Sequence, residues 1–157
     1  MSAANPKDAI GRAKLPLHLW PTTATAFGAM GFLEGELKYG RNNFRAAPVA
    51  ASVYVAAAKR HLDAWLEGQE NAPDTNNPHL GNALACIAII VDAKVNGSLI
   101  DDRNFTPDPG AYDRMVCQLT AQAEALRKQF ADRKPKHWDA RDNKPSQSAR
   151  RSKAQTK

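Results

Sequence analysis

Cysteine is nearly absent from this chain: Cys86 and Cys117 are the two among 157 residues. Both fall at apolar positions of expected helices and no Cys-X-X-Cys spacing occurs. Neither a disulfide framework nor a thiolate metal site is expected, and a reducing compartment is. Long apolar runs are missing as well. The longest, Ala83 to Val91, falls far short of the ~20 residues that a membrane span needs, so no membrane contact is expected. The N-terminus carries no basic-then-apolar leader pattern, which points to the cytoplasm. No stretch alternates apolar and polar residues as a strand does. What remains is helix.

The net charge of +6 invites a nucleic-acid reading, but it is unevenly placed. From Arg133 to Lys157 there are nine Lys or Arg against two Asp or Glu, leaving thirteen against fourteen in residues 1–132. The body is close to neutral and the basicity belongs to a tail. That tail has little to bury, so disorder is expected beyond Lys134, with Trp138 as the one residue suited to docking. Weak, salt-sensitive, non-specific nucleic-acid contact is the most it suggests. It lacks the interleaved aromatics of a single-strand reader.

With 43% apolar residues, the chain is long enough for a genuine core. Residues 1–20, with Pro6, Gly11 and Pro16, read as an extended lead-in. A first helix opens at Pro21-Thr22-Thr23, runs to about Lys38 and stops at Gly40, a residue suited to a C-terminal cap. Its apolar stripe holds Ala26, Phe27, Met30, Leu33 and Leu37, with Glu34 at the edge of this core-facing surface. A second helix opens at Pro48 and ends at Gly68, with Ala51, Val55, Ala58, Leu62 and Trp65 at helical spacing. The third, from about His79 to Val95, is apolar almost all round. That predicts burial on every side, by a second layer or by another subunit, and hence a homo-oligomer, dimer or tetramer. A fourth carries Tyr112, Met115, Val116, Leu119, Ala123, Leu126 and Phe130. The fold class is all-α, a bundle of four main helices, with residues 1–133 as one domain and 134–157 as the basic tail.

Polar side chains crowd the turns where the second and third helices meet: Arg60 and His61 on one side, Glu70, Asp74, His79 and Asn82 on the other. Polar groups beside apolar surface lose hydration and need partners, metal or ligand in compensation. Together with Glu34 and the run Lys38-Tyr39-Gly40-Arg41-Asn42-Asn43, they suggest an anionic small molecule held between helices. Glu34, Glu70 and Asp74 are candidate ligands for a hard divalent cation. Lys14, Lys38, Arg41 and Arg60 are candidates to grip phosphates. His61 and His79 are candidates to position a nucleophile, and Tyr39, Asn43, Trp65 and Asn82 to contact the ligand. Each has a plain alternative: solvated surface for the charges, a carbonyl partner for His61, a helix start for His79. Asp101-Asp102-Arg103 reads as a loop locked by internal ion pairing.

These residues also fall in a familiar order. Gly11-Arg12-Ala13-Lys14-Leu15-Pro16, Glu34-Gly35, Lys38-Tyr39-Gly40, Asn43-Phe44, Arg60-His61-Leu62 and Ala64-Trp65 come first. Pro78-His79-Leu80, Leu99-Ile100-Asp101-Asp102-Arg103 and Pro135-Lys136-His137-Trp138 follow. Across roughly residues 11–140 the chain resembles the phage and bacterial dATP/dGTP diphosphohydrolase-like family, related to the MazG-type all-α nucleotide pyrophosphohydrolases. The resemblance implies a MazG-like helical fold, helix-borne carboxylates holding Mg²⁺ or Mn²⁺, and hydrolysis of purine deoxynucleoside triphosphates to monophosphates in phage control of nucleotide pools. One departure matters. Where the family reads Gly-Glu-Asp, this chain has Gly68-Gln69-Glu70, and a second acidic position is Ala72. Gln69 is a poor ligand for a hard cation, so a second reading stands beside the first: a phage protein that binds and sequesters a nucleotide without turnover, for example against host nucleotide-signalling defence.

Overall fold

The computed structural model describes residues 5–142. The elements run α1 (Pro6–Arg12), a 3-10 turn (Leu17–Leu19), α2 (Thr22–Tyr39), α3 (Asn43–Ala46), β1 (Val49–Ala50), α4 (Ala51–Leu66), α5 (His79–Asn96), β2 (Leu99–Ile100), α6 (Ala111–Gln129) and a last 3-10 turn (Ala140–Asp142). The fold is mostly helical, and its four long helices stand close to where periodicity puts them. Two compact units are distinguished, Met1–Arg103 and Asn104–Lys157, and α6 is the long helix of the second. Much of the tail expected to be disordered, residues 143–157, lies outside the described residues. Trp138 is exposed, with the Lys136 ammonium 3.4 Å from its ring centroid. Among the described residues no helix is long and apolar enough to cross a membrane.

In the first unit α5 packs against both α2 and α4. The approach to α2 is closer than any side chain permits. A Cβ at Gly31 would lie 2.5 Å from the Gly81 carbonyl oxygen and 2.8 Å from the Ala85 Cβ, and one at Gly81 would strike the Phe27 carbonyl oxygen. Backbones this near leave no room for bulk between them. The residues α2 buries or half-buries are therefore Ala24, Gly28, Gly31, Phe32, Glu34 and Gly35. The large side chains expected to face the core, Phe27, Met30, Leu33 and Leu37, are instead 43–78% exposed.

Among the described residues the buried apolar set is small: Val49 and six alanines, Ala51, Ala58, Ala72, Ala83, Ala85 and Ala93. Helix α5 buries His79, Gly81, Asn82, Ala83, Ala85 and Ala93. Ile87, Val91 and Val95 stay exposed, so within one chain α5 is covered on one side and not all round.

Three local expectations change. The lead-in is not wholly extended: Asn5 Oδ1 accepts the Lys7 N–H at 3.0 Å and Pro6 opens α1, where its missing N–H costs nothing. Strand is present after all, as a short parallel pair with Val49 opposite Leu99 and Ala50 opposite Ile100. Consequently α4 starts at Ala51 and not at Pro48. Its first turn has no local side-chain cap. Asp102 supplies one from beyond β2, accepting the Ser52 N–H at 2.8 Å and the Ser52 hydroxyl at 2.5 Å, which satisfies donors that a helix start leaves open. Asp101 does pair internally with Arg103, through two contacts of 2.6 Å, and hydrogen bonding from Arg103 holds its carboxyl down at about 2.

The α2–α5 approach is directly testable. Gly31→Ala and Gly81→Ala are each expected to destabilise the protein by about 1–3 kcal/mol, the usual cost of overpacking. Gly28→Ala, which would meet nothing nearer than the Leu84 Cβ at 3.8 Å, should be neutral or gain up to about 1 kcal/mol from helix propensity. Urea denaturation of the three variants checks this; equal losses at all three positions would contradict it.

Candidate functional site

Helices α2, α4 and α5 and the connection after α4 enclose a cavity of about 400 Å³. Helix α2 contributes Glu34, Lys38 and Tyr39; α4 contributes Val53, Tyr54, Ala57 and His61; α5 contributes Asn82, Ala85, Cys86 and Ile89; the connection brings Ala72 and Asp74. One wall is a continuous line of hydrogen bonds. Lys38 Nζ donates to Glu34 Oε1 at 2.5 Å and lies 3.5 Å from Asp74 Oδ2. Asn82 Nδ2 donates to Glu34 Oε2 at 3.0 Å. Asn77 Nδ2 donates to Asn82 Oδ1 at 2.6 Å and to the Met30 carbonyl at 3.2 Å. Asn77 and Asn82 are both buried, and the chain of donors and acceptors leaves one orientation for each amide.

Glu34 feels opposing influences. Burial pushes its carboxyl up, but hydrogen bonds from Lys38 and Asn82, with the nearby Asn77 amide and the Lys38 charge, outweigh burial and hold it below the ordinary carboxylate value. It is ionised and offers only acceptors.

The residues between α4 and α5 read as a solvated link from their Asn, Asp and Pro content, yet they bond to one another. Ala72 N–H donates to the Asn77 carbonyl and Asn76 N–H to the Ala72 carbonyl, both at 2.8 Å; His79 N–H donates to the Glu70 carbonyl at 3.0 Å. Asn76 takes a left-handed conformation, φ 56°, which asparagine tolerates better than most residues. This folded turn carries Asn77 inward and seats His79 at the start of α5.

His79 Nδ1 and His61 Nδ1 are 2.8 Å apart, and His79 Nε2 is buried with no partner. One Nδ1 must donate and the other accept. If His79 accepted at Nδ1, its Nε2 would bear a buried, orphaned N–H, the rarer and costlier defect. The network therefore assigns the Nδ1 proton to His79. His61 then accepts at Nδ1 and keeps Nε2–H as its remaining donor. Burial, then the neighbouring His79, push the His61 pKa below the ordinary value.

Of the residues expected at a site, Glu34, Lys38, Tyr39, Asn43, His61, Asp74 and Asn82 line this cavity, and His79 stands behind His61. Arg41 lines an adjoining cavity of about 240 Å³ that shares Gly31, Gly35, Asn43 and Ile89 with the first. Lys14, Arg60, Trp65 and Glu70 line neither. Burial raises the Cys86 thiol against the opposing Arg60 charge, and Glu70 lends its backbone carbonyl to His79. Sequence reasoning passed over Asn77, Tyr54 and Cys86. For Asn77 the neighbouring Pro78 signalled a turn, and nothing signalled its burial.

Among the described residues, no three His, Cys, Asp or Glu side chains gather as a metal site. Glu34 and Asp74 share the Lys38 ammonium instead, and Glu70 is exposed. The expected trio Glu34, Glu70 and Asp74 does not form. For a divalent cation held by side chains of the protein alone, these residues do not fit.

Residues 4–103 match the family model described as dATP/dGTP diphosphohydrolase, N-terminal. The chain belongs to that family. No curated protein and no solved structure matches it. The match covers every element that lines the cavity and ends at Arg103, where the first compact unit ends. Membership associates the chain with nucleotide pyrophosphohydrolases in general and agrees with the helical, MazG-related fold.

The sign of the pH response follows from His61 and Glu34. Both pKa values are lowered on folding, so the stability they confer is present above their unfolded values and is lost as pH falls through the folded ones. Thermal unfolding should be level near pH 7, decline below the ordinary imidazole value of 6.5 as His61 is forced to charge, and decline again below 4.5 as Glu34 protonates. His61→Asn should flatten the first decline and leave the second. A variant that keeps both would contradict the assignment.

Proposed function

We propose that this chain takes a purine deoxynucleoside triphosphate into the 400 Å³ cavity and hydrolyses it to the monophosphate. The observation that carries the reading is the coincidence of the family match with a preformed pocket on which the hydrogen-bonded side chains Asn82, Glu34 and Lys38 converge. Such a pocket is of the size and mixed polarity that small ligands occupy.

Charge supports one direction of binding. Glu34, Asp74 and Lys38 together bear one net negative charge, which repels a polyphosphate, whereas a neutral base rich in N–H groups suits it. Arg41 lines the adjoining cavity and can take phosphate oxygens in a bidentate grip. The base therefore lies against Glu34 and the phosphates extend past Asn43 toward Arg41, with the His61 Nε2–H as a further donor. Mg²⁺ or Mn²⁺ enters as the counter-ion of the triphosphate, with the substrate. Glu34 and Asp74 both stand at the base end, so the groups left beside the phosphates are Arg41, Asn43 and the His61 Nε2–H.

Incubation of the purified chain with each deoxynucleoside triphosphate and Mg²⁺ should yield purine monophosphate. Arg41→Ala should weaken nucleotide binding by about 10- to 100-fold, as the loss of a charge-assisted contact does. Absence of turnover for every nucleotide, with or without a divalent cation, would overturn the hydrolase reading. One observation favours the alternative, binding without turnover: Lys38 sits between the two carboxylates where an enzyme of this kind needs a metal. Saturable calorimetric binding with no product would select it.

Self-association accompanies either reading. A core of one valine and six alanines leaves much apolar surface facing water. Beside Glu34 and Lys38, a groove of about 290 Å³ exposes Met30, Leu33 and Leu37. A second copy covering this face makes a homodimer, or a larger homo-oligomer, in the cytoplasm of the cell that makes the protein. Sedimentation should give a dimer or larger species at micromolar concentration; a strict monomer would contradict this.

A further inference from the structure

Among the described residues, helix α6 buries none of its own. Its large apolar side chains Tyr112, Met115, Val116, Leu119 and Leu126, with Phe130 at its end, are 40–69% exposed. They are not scattered. Tyr112, Val116, Leu119, Ala123, Leu126 and Phe130 follow one another at steps of four, three, four, three and four residues. A helix packed on a globular core carries a wider stripe that follows the 3.6-residue turn. A seam held at a mean of ~3.5 residues suits a second helix wound against the first. We propose that α6 pairs antiparallel with α6 of a second copy of this chain, joining two copies through a short coiled coil. The family match ends at Arg103, so the family does not account for this surface, and the pairing is independent of the nucleotide reading.

Charge selects the occupant and its direction. Asp113 and Arg127 flank the seam on the same side, two heptads apart, and among the described residues neither is in an ion pair. Arg114, which the heptad places away from the seam, is held by Asp108. In an antiparallel pair centred on Ala121, Tyr112 of one chain meets Phe130 of the other, Val116 meets Leu126 and Leu119 meets Ala123. Aromatic rings then close both ends, and leucine packs beside alanine in the middle. The same register sets Asp113 of each chain beside Arg127 of the other, twice by symmetry. The opposite flank holds Met115, Gln122 and Gln129, none of them charged. In a parallel pair Arg127 would face Gln122, and neither ion pair would form.

Other occupants match less well. Residues 143–157 offer Pro145 and two alanines, Ala149 and Ala154, and nothing larger to bury, so the basic tail cannot cover six large side chains. The polar side of α6 mixes Asp113 and Glu124 with Arg127 and Lys128, whereas a helix lying on anionic lipid is rich in lysine and arginine there.

Sedimentation of the full chain tests the pairing. Leu119→Glu, in a central layer yet exposed within one chain, should halve the mass of the wild-type species, whether or not the α2 groove also joins copies. Asp113→Arg sets four like charges where two ion pairs stood, and should weaken association by about tenfold at low salt. Asp113→Arg combined with Arg127→Asp should restore it, a rescue that a merely disturbed fold would not give. Failure of the rescue, or a Leu119→Glu chain with the wild-type mass, overturns the pairing. A monomeric wild type overturns it together with the groove dimer. Wild type that stays monomeric but binds phosphatidylserine vesicles makes the face a membrane contact instead. None of the three positions lines the cavity, so the nucleotide reading stands or falls separately.

Discussion

The near-contact of two helix backbones, α2 at Gly31 and α5 at Gly81, is the constraint from which the rest of the first unit follows. It brings Glu34, one turn beyond Gly31 on α2, within a hydrogen bond of Asn82 on the first turn of α5. It brings the Met30 carbonyl within reach of Asn77. A side chain on either glycine would push the helices apart and separate these pairs together. The same approach turns the larger side chains of α2 outward, so the helix that builds the polar wall also carries the exposed apolar groove beside it.

Within that frame the polar groups are chosen so that almost every one is satisfied. Asn77 serves two acceptors, Asn82 gives and takes, Glu34 accepts from two donors, and Lys38 joins Glu34 to Asp74. Buried networks of this kind are costly when incomplete and rigid when complete. At the site the exception is His79 Nε2, and its isolation is informative because it assigns the proton between the two imidazoles. The cavity thus presents a fixed pattern of donors and acceptors, which suits recognition more plainly than it suits holding a metal.

Much of the fold was legible from residue pattern. Periodicity, with Gly40 and Gly68 as stops, located the four long helices, and the motifs from Gly11-Arg12 to Asp102-Arg103 carried the family. The candidate cavity residues on α2 and α5, Glu34, Lys38, Tyr39 and Asn82, were also visible as polar groups beside apolar stripes. Other features depend on distances along the chain that local reading does not span. The Asp102 cap on Ser52, the β1–β2 pair and the burial of Asn77 each join segments far apart or turn a polar link inward. The α2 stripe was misread for a related reason: hydrophobicity marks what can be buried, and close backbone packing here buries glycine in its place. Glu70 shows the opposite limit, since a carboxylate near a site in sequence contributes only its backbone.

The central claim is that a nucleotide base rests on the Asn77–Asn82–Glu34–Lys38 line. The side-chain amides of Asn77 and Asn82 report on it directly by NMR, because Asn77 donates to the Met30 carbonyl and to Asn82, and Asn82 donates to Glu34. Titration with Mg²⁺-dGTP should shift the Asn82 amide strongly and the Asn77 amide less, both saturating together with binding measured by calorimetry. Saturable binding that leaves both amides unmoved would place the nucleotide elsewhere and contradict the account.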